Sequence, residues 1–183
     1  MLIFPRNDKL KDGTPIVIRL IRPDDKEALK SAFNKLSLHS NFCRFLTPVA
    51  SLSKAQLKYL TEIDNKNHLA LCVHNLDFTG IAVARYIKIK DEPNTAEIAI
   101  TILDEYQNKD LGTKLIQFLI EAATENGIKK FIGFVLEENR AMIKILEKFG
   151  AKLMRDEKDV LKAEMNLTPY TSNSIVINSP ISY

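Results

Sequence analysis

The chain has no tryptophan, two cysteines, three histidines and six glycines among its 183 residues. Cys43 and Cys72 form no CxxC pair and no closely spaced framework, so a disulfide scaffold is excluded and a reduced setting is expected. His39 and Cys43 stand four residues apart and could share a helix face, but two ligands do not close a zinc site, and no metal is expected. No apolar stretch is long enough to span a bilayer, and the opening MLIFPRNDKLKDG lacks the apolar run of a secretory signal. A cytoplasmic protein without a membrane partner is the expectation. An excess of one charge is also missing: 26 basic against 23 acidic residues leave +3, spread along the chain. Nucleic-acid binding is therefore not favoured, while an anionic small molecule would still be attracted. The last sixteen residues, TPYTSNSIVINSPISY, contain no charge. A loose tail is the default reading there, an edge strand through SIVI or a subunit-docking patch the alternatives.

What is present is ordinary for one globular domain: 45% apolar and 27% charged residues. Alternating apolar residues predict strands at IVIRLI (16–21), HLALCVHN, TGIAVARYIKI, AEIAITI (96–102), KKFIGFVL (129–136) and a closing pair, AKLMRDE and DVLKAEMNL. Helical spacing follows Pro23, with Leu29, Ala32, Phe33 and Leu36 as an apolar stripe. It recurs after Ser53, from Leu111 to Ala123, and in ENRAMIKILEKFG, where Gly150 is the stop. The order β, α, α, β, β, β, α, β, α, β, β predicts a mixed α/β fold with about seven strands flanked by helices. Residues 1–15 read as an N-terminal arm, 16–167 as the domain and 168–183 as the tail.

The junction DEYQNKDLG, between the strand ending at Ile102 and the helix starting near Leu111, is polar and holds one glycine. A helix that starts directly after a strand offers unpaired N–H groups and a positive dipole end, which suit phosphate. Gly112 lets backbone approach a ligand, though a packing accommodation is the commoner use of such a glycine. Lys109 adds a mobile charge and Thr113 a hydroxyl. The Gly-Lys-Ser/Thr ending of a Walker loop is missing, and one glycine stands where a dinucleotide fingerprint needs three.

The segment EYQNKDLGTKLI resembles the acyl-CoA-binding motif of the GNAT family of N-acetyltransferases. Gln107, Asp110 and Gly112 fall on its three defining positions. LSLHSNFCRFLTP, AEIAI and LEENRAMIKILEKFGA further resemble the bacterial protein-lysine acetyltransferase branch, with a catalytic domain standing alone as the expectation here. The resemblance implies acetyl-CoA as cosubstrate, its diphosphate on the N–H groups from Gln107 through Asn108, Lys109, Asp110, Leu111 and Gly112 to Thr113. It implies a pantetheine arm along Ile100 and Ile102 where two strands splay apart, facing Asn139. Two positions depart from the family. Asp110 replaces its usual glycine, and either turns to solvent, pairs with Lys109 or Lys114, or caps the helix. Leu146 replaces a tyrosine that many relatives use to protonate the leaving thiolate.

Acyl transfer to an amine needs the free base, a minor species at neutral pH. A carboxylate can take the proton directly or through water. Glu97 lies on one strand face with Ala99 and Thr101, opposite Ile98, Ile100 and Ile102, and small neighbours leave room for a substrate. The resemblance assigns the same residue as general base. His39, His68 and His74 are rival bases in no recognisable arrangement, with surface or loop positions expected. No Ser-His-Asp or Cys-His set is recognisable, so direct attack on the thioester is expected. Phe42, Arg44 and Phe45 could line the acceptor wall, and Asp64 and Asp104 could attract a cationic amine or simply serve their loops. The expectation is an acetyl-CoA-dependent N-acetyltransferase acting on a primary amine, a protein lysine first. A small amine such as a polyamine or antibiotic, or a non-catalytic acetyl-CoA sensor, are the alternatives. A monomer or homodimer is expected.

Overall fold

In the computed structural model, which describes residues 4–167, the alternating segments join into one eight-stranded sheet. Its strands are β1 (Arg6–Lys9), β2 (Pro15–Leu20), β3 (His68–His74), β4 (Gly80–Ile89), β5 (Glu92–Ile102), β6 (Lys130–Leu136), β7 (Lys152–Glu157) and β8 (Val160–Asn166). They lie side by side in the order β1-β2-β3-β4-β5-β6-β8-β7. Neighbours are antiparallel except β5 and β6, which run parallel with helix α4 (Leu111–Glu125) between them in the chain. Helices α1 (Lys26–Phe33), α2 (Leu38–Phe45) and α3 (Lys54–Thr61) connect β2 to β3, and α5 (Arg140–Lys148) connects β6 to β7.

Pleating separates the two faces of β5. Ile98, Ile100 and Ile102 pack with Leu111, Leu115 and Leu119 of α4 in the main core. On the opposite side Phe33, Leu52 and Leu57 form a smaller cluster under the first helices. Ser53 caps α3 as its position predicts, accepting from Gln56 N–H, while Gln56 Oε1 accepts from Ser53 N–H.

Two elements extend beyond the expected order. The arm carries β1, which pairs with β2 through a turn at Gly13 (φ +87°), so the sheet has eight strands. Helix α2 starts at Ser37, whose hydroxyl accepts from Ser40 N–H; it is only eight residues long and none of them is fully buried. The expected tail, 168–183, lies outside the described residues. Among the described residues no helix is long and apolar enough to cross a membrane.

Candidate active site

Strands β5 and β6 pair at Thr95–Lys130, Ala96–Phe131 and Glu97–Ile132 and then part, although both continue to Ile102 and Leu136. The wedge between them is lined by Ile98, Ile100, Gly133 and Phe134, with Met142 and Leu146 of α5 behind. Asn139, the cap of α5, borders this wedge; its Oδ1 accepts from Met142 N–H at 3.1 Å. No tyrosine lines the wedge beside Leu146.

The wedge meets a larger cavity of about 710 Å³, bordered by Ile100, Ile102, Gln107, Asn108, Asp110, Leu111, Gly112, Thr113 and Asn139. Nine of the ten residues read as cofactor-binding therefore meet at one place; the exception is Lys109, whose side chain leaves the cavity and binds Asp12 at 2.9 Å, over the Tyr106 ring. Thr14 and Lys109 together hold the Asp12 carboxyl far below its usual range. Gln107 is engaged within the protein too. Its N–H reaches Asp104 C=O at 3.2 Å, and its amide donates to Ile102 C=O and Ser40 Oγ, each at 3.0 Å. Among the described residues, the N–H groups of residues 108–113 have no backbone partner; the first bonded one is Lys114, to Asp110 C=O at 3.3 Å. This is the donor row that an anion requires at a helix start.

Asp110 does not cap the helix: it precedes Leu111 in the left-handed conformation (φ +65°), and its side chain makes no capping bond. Nor does it pair with a lysine, because Lys109 binds Asp12 and Lys114 binds Asp8 at 2.7 Å. The left-handed backbone explains both the glycine usual in the family and the aspartate here, since Asp and Asn tolerate that region best among other residues. Asn108 shares it (φ +59°). Gly112 answers to packing: a Cβ there would meet Ile145 Cδ1 of α5 at 2.9 Å and Ile102 Cδ1 at 3.6 Å.

Helix α2 forms the far wall, contributing His39, Ser40, Cys43 and Arg44, none of which the cofactor motif contains. Asp104 fastens it by accepting from Ser37 N–H (3.1 Å), Ser37 Oγ (2.7 Å) and Ser40 Oγ (2.8 Å). Burial opposes the Asp104 charge, but these bonds outweigh it and hold the carboxyl below its usual value. Asp64 is likewise occupied: burial raises it, yet N–H groups of His68, Lys66 and Asn67 bring it down to about 2. Neither aspartate is free to draw in an amine. On α2, His39 Nε2 lies 3.5 Å from Cys43 Sγ, and His39 Nδ1 lies 3.6 Å from Glu138 Oε1. These three are the group among the described residues whose donor atoms all fall within 4.8 Å of one another. The i, i+4 spacing on a helix was the signal for the first pair; Glu138 comes from a distant turn.

Glu97 occupies the last paired rung before the wedge opens and is exposed, bordering neither the wedge nor the larger cavity. Arg44 borders both, and also an apolar hollow on the opposite side of β5 beside Ala99, Thr101 and Phe45. Burial lowers the Arg44 pKa and the Glu97 charge partly restores it. Buried Arg85 also borders the hollow, donating to Leu60 C=O at 3.1 Å and His68 Nε2 at 3.0 Å. Burial, then Arg44, lowers it to about 10. His68 and His74 are strand residues, half-buried and buried, and neither borders the cavity; His68 is pushed down to about 4 by burial and by Arg85.

Residues 16–152 match the acetyltransferase (GNAT) domain family. The chain is 31% identical over 155 residues to an acetyltransferase of Pseudomonas aeruginosa, covering 83% of each. It is 29% identical over 168 residues to acetyltransferase Pat of Mycolicibacterium smegmatis, covering 91% of this chain but about half the length (50%) of that relative. The crystal structure of the GNAT domain of S. lividans PAT superposes with a TM-score of 0.82 at 27% identity, over 89% of this chain and 97% of that one. The chain belongs to the GNAT acetyltransferases, with acetyl-CoA as cosubstrate. The spermidine N-acetyltransferase of Vibrio cholerae, at 19% identity and a TM-score of 0.66, shares the fold.

Proposed function

We propose that the protein acetylates the side-chain amine of protein lysines by direct attack on acetyl-CoA, with Glu97 as general base. The observation that carries this reading is the parting of β5 and β6 immediately after Glu97, into a cavity edged by a row of unpaired N–H groups. Residues 108–113 would hold the diphosphate through backbone donors and the helix dipole. The β5 edge at Ile100 and Ile102, with Asn139 across the wedge, would hold the pantetheine arm. Glu97, exposed beside the wedge, would take the proton from the incoming ammonium, directly or through water. Fixing amine and thioester together would supply much of the rate. Leu146 offers no proton, so the leaving thiolate would depart by exchange with solvent or a neighbouring acid.

A protein lysine is favoured over a polyamine because guanidinium groups, Arg44 and Arg85, border the hollow beside β5, while Asp64 and Asp104 are spent on backbone and hydroxyl donors. A polycation needs the opposite sign of wall. The similarity to Pat supports the same choice. The test is Glu97→Gln: calorimetry should return a CoA affinity within about twofold of wild type, while thiol release falls about a hundredfold or more. Equal turnover would remove Glu97 from the chemistry. Mass spectrometry of extract proteins after incubation with labelled acetyl-CoA should find acetyl-lysine; thiol release with small amines alone would reassign the acceptor.

A further inference from the structure

We infer that Cys43 is a second acyl acceptor of this enzyme, taking an acetyl group from acetyl-CoA with His39 as its base and Glu138 as the group that orients His39. The inference rests on the proposal that the cavity holds acetyl-CoA. Cys43 borders both the wedge and the larger cavity, where the two meet beside Ile100, Asn139 and Met142. Its thiol lies 3.5 Å from His39 Nε2, and the other ring nitrogen faces Glu138 Oε1 at 3.6 Å. Thiol and carboxylate thus use opposite nitrogens of one ring. Nucleophile, base and orienting carboxylate in sequence form a proton relay. The relay is held over the cavity because Asp104 and Gln107 tie Ser40, next to His39, to the start of the cofactor loop.

The base is needed. Burial, with the charges of Glu138 and Asp104, raises the Cys43 pKa, so at rest the group is an un-ionised thiol. In the step, Cys43 Sγ attacks the thioester carbonyl carbon. The new C–S bond forms as the C–S bond to CoA breaks. The thiol proton passes to His39 Nε2 and on to the departing CoA thiolate. Acetyl-CoA and a protein thiol become CoA and S-acetyl-Cys43, with no oxidant or reductant involved. Cys72, on β3, is an internal control: burial pushes it up to about 11, its thiol donates to Leu20 C=O on β2 at 3.9 Å, and it borders the apolar hollow and not the cofactor cavity.

The full chain, incubated with acetyl-CoA radiolabelled in the acetyl group and no amine, should take up label approaching one acetyl per molecule. Neutral hydroxylamine should release it, and peptide mass spectrometry should place it on Cys43 and not Cys72. Cys43→Ser should take up none. His39→Gln should label about a hundredfold more slowly at neutral pH and recover in alkali, where the thiol ionises unaided. No label on wild type, or hydroxylamine-resistant label on a lysine, overturns the inference. So does a His39→Gln protein with wild-type rate and pH profile. Calorimetry of wild type with CoA separates the two readings. CoA binding without label removes only the Cys43 step, whereas absent CoA binding removes the cavity assignment and this step together.

Discussion

The two faces of β5 are built of different materials for the one reaction we propose. On the α4 side the cavity is edged by main-chain donors in residues 108–113, and the side chains around them, Gln107, Lys109 and Lys114, are bound within the protein. On the α1 side the hollow is framed by side chains: Arg19 paired with Asp25, and Arg44 and Arg85, which form no ion pair among the described residues. Backbone recognition suits a cosubstrate common to a whole family, because it survives change of almost any side chain. Side-chain recognition is where one acceptor is distinguished from another.

The largest effect is expected from Gly112→Val. Its Cβ would collide with Ile145 Cδ1, so the substitution should disturb the packing of α4 on α5 as well as the donor row. We expect CoA affinity to fall about tenfold or more and stability to drop by about 1–3 kcal/mol in urea titrations, the usual cost of overpacking. Unchanged CoA affinity would show that the backbone side is not where the nucleotide lies. Arg44→Met probes the other face by keeping length and removing charge. The KM for spermine should then fall about fivefold, about 1 kcal/mol of relieved repulsion, while a lysine peptide changes less. Equal effects on both acceptors would break the distinction between the faces. Asp110→Gly removes a carboxylate beside the donor row and suits the left-handed backbone, so CoA should bind about threefold tighter at low salt, with the gain shrinking as salt rises.

The smallest effect concerns pH. His68 has a folded pKa of about 4 against an ordinary 6.5, so the unfolded chain takes up the proton first. Its contribution is intact above the ordinary value and is lost as pH falls from there toward the folded one. His68→Gln, which keeps an acceptor for Arg85, should flatten the decline of the urea midpoint between pH 7 and pH 5. An identical decline would move the source of acid sensitivity elsewhere.

Legibility in the sequence follows the same division. Periodicity is a main-chain property, so the strands and the long helix were readable, and the change of period around Gly112 pointed to the donor row. β1 escaped because RNDK has no alternation, and α2 escaped because its eight residues give helical spacing barely two turns in which to show. The role of Asp110 stayed open between solvent, a lysine partner and a cap because a left-handed φ leaves no mark on composition. Lys109 belonged to the motif, but its partner Asp12 lies in an arm with no fixed place along the sequence. The alignment of Glu138 with His39 and Cys43 is equally invisible, since it depends on how α2 is laid across the turn before α5.

The early parting of β5 from β6 also bears on how long the molecule lasts. It leaves an open strand edge in the middle of a sheet, where an intruding peptide would find hydrogen-bonding partners as readily as a cofactor would. Whatever fills that seam ties the two halves of the protein together, and a ligand at a hundred times its dissociation constant adds about 2.7 kcal/mol. With the acyl donor in that seam as proposed, its supply would govern resistance to proteases and to self-association as well as the pace of turnover.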